Sequence, residues 1–353
     1  MIFATFHLDH WYRIFFDNHF DKEEYQNWIV MVKGLGFDTI VIDNLIAEYT
    51  IDIILKNDLN IIFSPSYTKS INEKEDKIYE VEYIRDINSR LDEISYKNII
   101  NYTIDSILQF KNVYLRFNSN INEVYYNIHL GAYLEAMFPI HIFNKSSILE
   151  GVWTQEHQRY IDLFKEIVII AKKFGFEKFI YASQIIGHGI HEKQFELDGT
   201  TICHEIINLG IDPQNFIYYT PTIFAHDGTY FVNNMIQQTG LKKVFNIKTM
   251  HGAQGINGFP ITSTISFFNQ VDGIWMSTGE KCFSKNRLTQ IDFNTAKPEK
   301  ISLIKRTISS IKNNNREDIL FISRLLSKQA SKKPQFGEPI YDEHFSLDGL
   351  PQC

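Results

Sequence analysis

Cysteine is scarce in this chain: Cys203, Cys282 and Cys353 are the three present in 353 residues. Their small number and irregular spacing exclude a disulfide framework and a zinc knuckle, and a reducing compartment fits best. No run approaches 18 apolar residues, so no membrane span is expected. The opening "MIFATFHLDH" lacks the basic start and long apolar core of a signal peptide, which makes the cytoplasm the expected location. Lysine and arginine are scattered and the formal charge is −7, so a nucleic-acid footprint is not expected either. No glycine-rich dinucleotide fingerprint follows any apolar run, no HExxH occurs, and there is no low-complexity segment or interdomain linker.

What the chain does have is ordinary globular composition, 44% hydrophobic and 22% charged, with length enough for a sizeable core. Its 28 Phe and 18 Tyr accompany abundant Ile, Lys and Asn. That combination reads first as AT-rich coding, with sugar-binding platforms the smaller share. One pattern repeats along the chain, a short apolar run followed by an amphipathic segment of helical length. The runs are "IFATFH" (2–7), "DTIVID" (38–43), "NIIFS" (60–64), "VYLRF" (113–117), "KFIYA" (178–182), "FIYYT" (216–220), "VFNIK" (244–248) and "GIWMS" (273–277). The helical segments "KEEYQNWIVMVKGLG" and "YIDLFKEIVIIAKKFG" each end on a breaker glycine. The segment "TTICHEIINLG" does so too, and opens on a threonine suited to capping.

Eight strand-plus-helix units predict an α/β fold, a (β/α)8 TIM barrel over residues 1–330. A doubly wound open sheet is the rival architecture. The stretch 118–177 predicts a helical insertion or lid after strand four, 299–330 predicts closing helices, and 331–353 reads as a tail.

Strands of a parallel barrel are buried on both faces, so polar residues at period two need a reason. Thr5, His7 and Asp9 share one face of the first run. Asp43 extends the second, Arg116 and Asn118 alternate along the fourth, and Asn246 and Lys248 along the seventh. Unpartnered burial would cost several kcal/mol for each charge. These residues are therefore expected in the barrel interior at the C-terminal mouth, paired or solvated. An interior ion pair such as Arg116 with Asp43 that merely fills space is the structural alternative.

Glu280 follows the eighth run, and a carboxylate there facing Asp9 or Asp43 is the arrangement glycosidases use. His7 and His251 would serve as proton-transfer partners, Arg116, Asn118, Asn246 and Lys248 as ligand anchors, and Trp11, Tyr67 and Trp275 as stacking platforms. Two rival chemistries remain open. Lys248 would form a Schiff base if desolvated. His188, His191, His226 and His251, on predicted rim loops, would suit zinc or iron, although no metal is expected from their spacing.

The pieces "HLDHWY" (7–12), "GFDTIVIDN" (36–44), "LNIIFSPSY" (59–67) and "FEKFIYAS" (176–183) follow one another in a rhythm that resembles barrel glycoside hydrolases of the endo-α-mannosidase type. The resemblance implies a carbohydrate-active hydrolase that needs no cofactor and takes a small-molecule or oligosaccharide substrate. The late acidic context in that group is Asn-Glu-Trp-like, where this chain reads Ser277-Thr278-Gly279-Glu280. A barrel that binds glycan without catalysis is the non-enzymatic alternative, and the sequence leaves the oligomeric state open.

Overall fold

The computed structural model describes residues 3–7, 22–42, 48–65, 68–70, 81–83, 93–128, 155–182, 192–220, 238–254, 271–277 and 298–330. In chain order the elements begin with β1 (Phe3–His7), α1 (Lys22–Leu35), β2 (Thr39–Ile42), α2 (Glu48–Lys56) and β3 (Asn60–Phe63). A small antiparallel pair follows, β4 (Thr68–Ser70) with β5 (Val81–Tyr83), then α3 (Glu93–Tyr114) and β6 (Tyr125–Ile128). Next come α4 (Gln155–Lys173), β7 (Lys178–Ala182), α5 (Glu192–Asn208), β8 (Phe216–Thr220) and α6 (238–245). The last are β9 (Lys248–Gln254), β10 (Gly273–Ser277), α7 (Pro298–Lys312) and α8 (Arg316–Ala330). Eight strands close in the order β1-β10-β9-β8-β7-β6-β3-β2, all pairs parallel. The chain is a (β/α)8 barrel, with α7 and α8 as the expected closing helices.

The paired residues fix the stagger of that closure. From His7 the pairs run to Val41, Ile62, Tyr125 and Lys178. From Ala182, four residues beyond Lys178, they run through Tyr219, Met250 and Gly273 to Phe3, four residues before His7. The circuit therefore returns displaced by eight residues, the shear of the (β/α)8 barrel, and side chains of alternate strands share levels inside it.

Helix formation follows from apolar spacing. In α1, Tyr25, Ile29, Val32 and Leu35 recur at intervals of three and four and are buried against the sheet. The helix stops at Gly36, whose φ of 102° is left-handed, and the Phe37 amide donates back to the Val32 carbonyl. Gly175 and Gly210 end α4 and α5 the same way, as the sequence predicts, while Asp58, Asn246 and Asn314 take the left-handed position after α2, α6 and α7. Phe37, Phe176 and Ile211, just past the glycines, are buried and anchor the return into the next strand. Among the described residues, no helix is long and apolar enough to cross a membrane.

Four expectations need correction. The run 113–117 is not strand four: Val113 and Tyr114 end α3, and Leu115 to Phe117 form the turn after it. The helical stripe of Ile99, Thr103, Ile107, Phe110 and Tyr114 outweighs five alternating residues. The fourth barrel strand is instead Tyr125–Ile128, inside the segment expected to be an inserted helix, and α4 is a helix of the barrel itself. Residues 129–154 and the tail 331–353 lie outside the described residues. The seventh strand begins only at Lys248, because 238–245 is helical. Likewise α5 starts at Glu192, so the Thr200 pair lies within the helix and caps nothing.

A side chain at Gly36 would place its Cβ 2.8 Å from Ile308 Cγ2, besides the unfavourable φ, whereas a Cβ at Gly34 meets nothing within 4 Å. Gly36→Ala is expected to lower the urea-unfolding free energy by at least about 1 kcal/mol, and Gly34→Ala, inside α1, to raise it by about 0.5–1 kcal/mol.

Candidate active site at the C-terminal mouth

Two separate apolar clusters divide the sheet. Ile40, Ile42, Ile61, Phe63, Tyr126, Phe179, Tyr181, Phe216, Tyr218 and Ile274 face the helices. Val41, Ile62, Ile180, Ala182, Ile217, Tyr219, Met250 and Trp275 fill the barrel. Alternation along each strand therefore sorts every described side chain to one layer.

Inside, the stagger stacks the residues in levels. Ile62, Ile180 and Met250 share a level with position 5 of β1. One step nearer the mouth come Val41, Asn127, Tyr219 and Trp275, and one step further Ser64, Ala182 and Gly252 with position 7 of β1. The Tyr219 and Trp275 rings stack with centroids 4.7 Å apart and planes 17° from parallel. Complete burial pushes the Tyr219 phenol well above its ordinary value, so it stays protonated. This ring pair closes the barrel from beneath. Three of the four positions on the level above are small, Ser64, Ala182 and Gly252, and the fourth is position 7 of β1.

Polarity enters at that step. Asn127, 1% exposed, lies on the interior face of β6 in register with Ile180. Its Nδ2 donates to Ser64 Oγ at 2.9 Å, and its Oδ1 is buried with no hydrogen-bond partner among the described residues. Sequence reading missed Asn127 because its strand was taken for helix, and left Ser64 unremarked at the end of a strand it had recognised. The signal available was the β-forming "VYY" after the Asn-rich turn "NSNIN".

The residues expected at the mouth divide. His7 ends β1, with its backbone paired to Val41 and Ser277, at the C-terminal end as expected. Trp275 is in the barrel, but it is 5% exposed and stacked on Tyr219, so it forms floor rather than an open platform. Asp9, Trp11, Asp43, Tyr67, Glu280, His188, His191 and His226 lie outside the described residues.

Five positions are corrected. Arg116 is exposed in the turn after α3 and pairs with the Glu48 carboxylate, while Asn118 Oδ1 in the same loop accepts from the Asn120 amide at 2.9 Å. Both precede β6, so neither lines the mouth. Asn246 is the left-handed residue between α6 and β9, with φ 55°, and its carbonyl accepts from Gln214 Nε2. Lys248 opens β9 in register with Ile217, at the N-terminal end of the barrel, opposite the mouth. The Schiff-base reading loses its lysine at that point. His251 is a strand residue and not a rim-loop one: it pairs with Thr220 and Ile274, on the helix-facing side, and is completely buried. Beside it, Gln238 Nε2 donates to Thr220 Oγ1 at 2.8 Å and to the Met250 carbonyl at 2.9 Å. Among the described residues, no three His, Cys, Asp or Glu side chains gather as a metal site.

No family model matches the chain, and no curated protein matches it in sequence. Among solved structures it is similar to a β-mannanase of Thermomonospora fusca in complex with mannohexaose, at 11% identity over 78% of each chain and a TM-score of 0.46. It is similar also to cellulose synthase subunit Z of Clostridioides difficile, at 10% identity over 79% of this chain and 93% of that one, TM-score 0.44. An archaeal fructose-1,6-bisphosphate aldolase is 12% identical over 88% of this chain and 93% of its own, TM-score 0.42.

Burial pulls the His251 imidazole down to about 3, from an ordinary 6.5. The unfolded imidazole takes up a proton below pH 6.5 while the folded one stays neutral to about pH 3. The stability linked to this group is therefore complete above pH 6.5 and lost as pH falls towards 3. In urea unfolding, the free energy of wild type should fall relative to that of His251→Leu by about 1.4 kcal/mol per pH unit between pH 6 and 4.

Proposed function

We propose that the chain is a carbohydrate-active hydrolase working at the C-terminal mouth of the barrel, with Asp9, Asp43 and Glu280 as its carboxylates. The observation that carries the reading is where the chain leaves three neighbouring strands. β10, β1 and β2 are adjacent in the barrel and end at Ser277, His7 and Ile42. Asp43 follows Ile42 directly, Asp9 comes two residues after His7, and Glu280 three after Ser277. Consecutive Cα atoms are about 3.8 Å apart, so chain length alone keeps the three within roughly 4, 8 and 11 Å of those strand ends. Adjacent parallel strands are only about 5 Å apart.

Two carboxylates facing each other are the minimum glycoside hydrolysis requires. At about 5 Å one protonates the leaving oxygen while the other attacks the anomeric carbon; at about 6.5–9.5 Å the second activates water instead. His7, ending the strand between the other two, is the proton-transfer partner in this reading. Trp11 and Tyr67, which follow β1 and β3 at the same end, supply ring faces for sugar. The small-residue level over the Tyr219–Trp275 floor supports a seat for a ligand between these groups. No cofactor enters the chemistry.

The test is hydrolysis of aryl glycosides by the wild type and by Asp9→Asn, Asp43→Asn and Glu280→Gln. Two of the three replacements are expected to lower kcat by roughly 10²–10⁴-fold with KM little changed. Hydrolysis that persists undiminished in all three removes the assignment.

A further inference from the structure

We propose that Asn127 holds the ligand at the bottom of the mouth, its Oδ1 accepting a hydrogen bond from one hydroxyl of a neutral sugar ring. The inference rests on the carbohydrate reading above and names the floor contact of that same site.

An asparagine amide has two donor hydrogens and an acceptor oxygen. Here the amide nitrogen donates to Ser64 Oγ, and the oxygen, in a side chain 1% exposed, has no partner among the described residues. A buried acceptor left unpaired opposes folding, and leucine, of similar size, would fill this interior position without that cost. In an empty barrel the amide nitrogen serves Ser64, while the oxygen contributes nothing among the described residues. The direction from which a donor can arrive is fixed by the levels. Below Asn127 the barrel is filled by Ile62, Ile180 and Met250, and beside it by Val41, Tyr219 and Trp275. Above it stand Ser64, Ala182 and Gly252, the small side chains of the interior. A partner for Oδ1 comes from the mouth.

The chemistry of the partner is also constrained. An amide oxygen accepts and does not donate, so it rejects carboxylate and phosphate. The described side chains on these two levels are all uncharged, which suits a neutral hydroxyl as the donor. An eight-stranded barrel is only as wide as the side chains that normally fill it, so the seat takes one ring and not a chain lying across it. The stacked Tyr219 and Trp275 present aromatic surface beside the amide, suited to the apolar C–H groups of the same ring.

The experiment uses the full chain with D-glucose, D-mannose and D-galactose as probes, read by thermal shift and by titration. At least one sugar should raise the wild-type Tm. Asn127→Leu should keep or raise the Tm without sugar, lose the sugar-induced shift, and bind at least tenfold more weakly. With wild type alone, one monodeoxy form of the binding sugar should lose at least tenfold in affinity, which tests the contact even if the variant fails to fold. A sugar-induced shift unchanged in Asn127→Leu, monodeoxy sugars that all bind like the parent, or no sugar bound by wild type each overturns the proposal. The two readings separate cleanly. Sugar binding that depends on Asn127, with hydrolysis indifferent to the three carboxylate replacements, upholds the contact and sinks the hydrolase. Hydrolysis lost in those replacements, with KM unmoved in Asn127→Leu, does the reverse.

Discussion

Closure of the hydrogen-bonded sheet with an eight-residue stagger is the constraint from which the rest of the structure follows. Once Phe3 must pair with Gly273 and His7 with Val41, every interior side chain has its height assigned. A single-residue slip in any strand would exchange its interior and helix-facing sets. Tyr219 meets Trp275, and Ser64 meets Asn127, because the stagger brings alternate or neighbouring strands to matching heights. No local preference of those residues would do it.

The two ends of the barrel carry different duties. At the N-terminal end the connections are short and held by left-handed residues, among them Gly36, Asp58, Gly175, Gly210 and Asn246. Ion pairs tie the same end together: Lys312 with Asp38 at 2.9 Å, Lys242 with Asp272 at 2.7 Å, and Lys178 with Glu123. Lys172 reaches the carbonyl of Leu209 at the foot of the next helix, at 2.6 Å. Each such contact is partly exposed and individually modest. Together with the apolar layer under the helices they stabilise the scaffold without drawing on the mouth.

Much of the architecture was legible in the sequence, and the failures have physical causes. Six of the eight expected strands coincide with barrel strands, and the glycines ending α1, α4 and α5 occupy the positions their spacing predicts. The fourth strand was misplaced because "VYLRF" alternates like a strand while its Val113 and Tyr114 complete a 22-residue helical stripe. The seventh was misplaced because "HGAQ" looks like a flexible loop. In a closed sheet, Gly252 simply leaves the interior open where it lies in register with Trp275. These two errors carried Arg116, Asn118, Asn246 and Lys248 to the wrong end and hid Asn127. Strand existence is local information, whereas height in the barrel depends on register between residues far apart in sequence. The carboxylate candidates were legible only as residues that follow strands, since that is all chain order conveys.

The stacked rings of Tyr219 and Trp275 have a kinetic corollary. Beneath them Met250, Ile62 and Ile180 fill the next level, so the described interior is packed on the far side. A ligand arriving through the opening would depart the same way, so an occupant still seated bars the next one. Exchange of any ligand seated on the rings would then depend on how quickly it backs out.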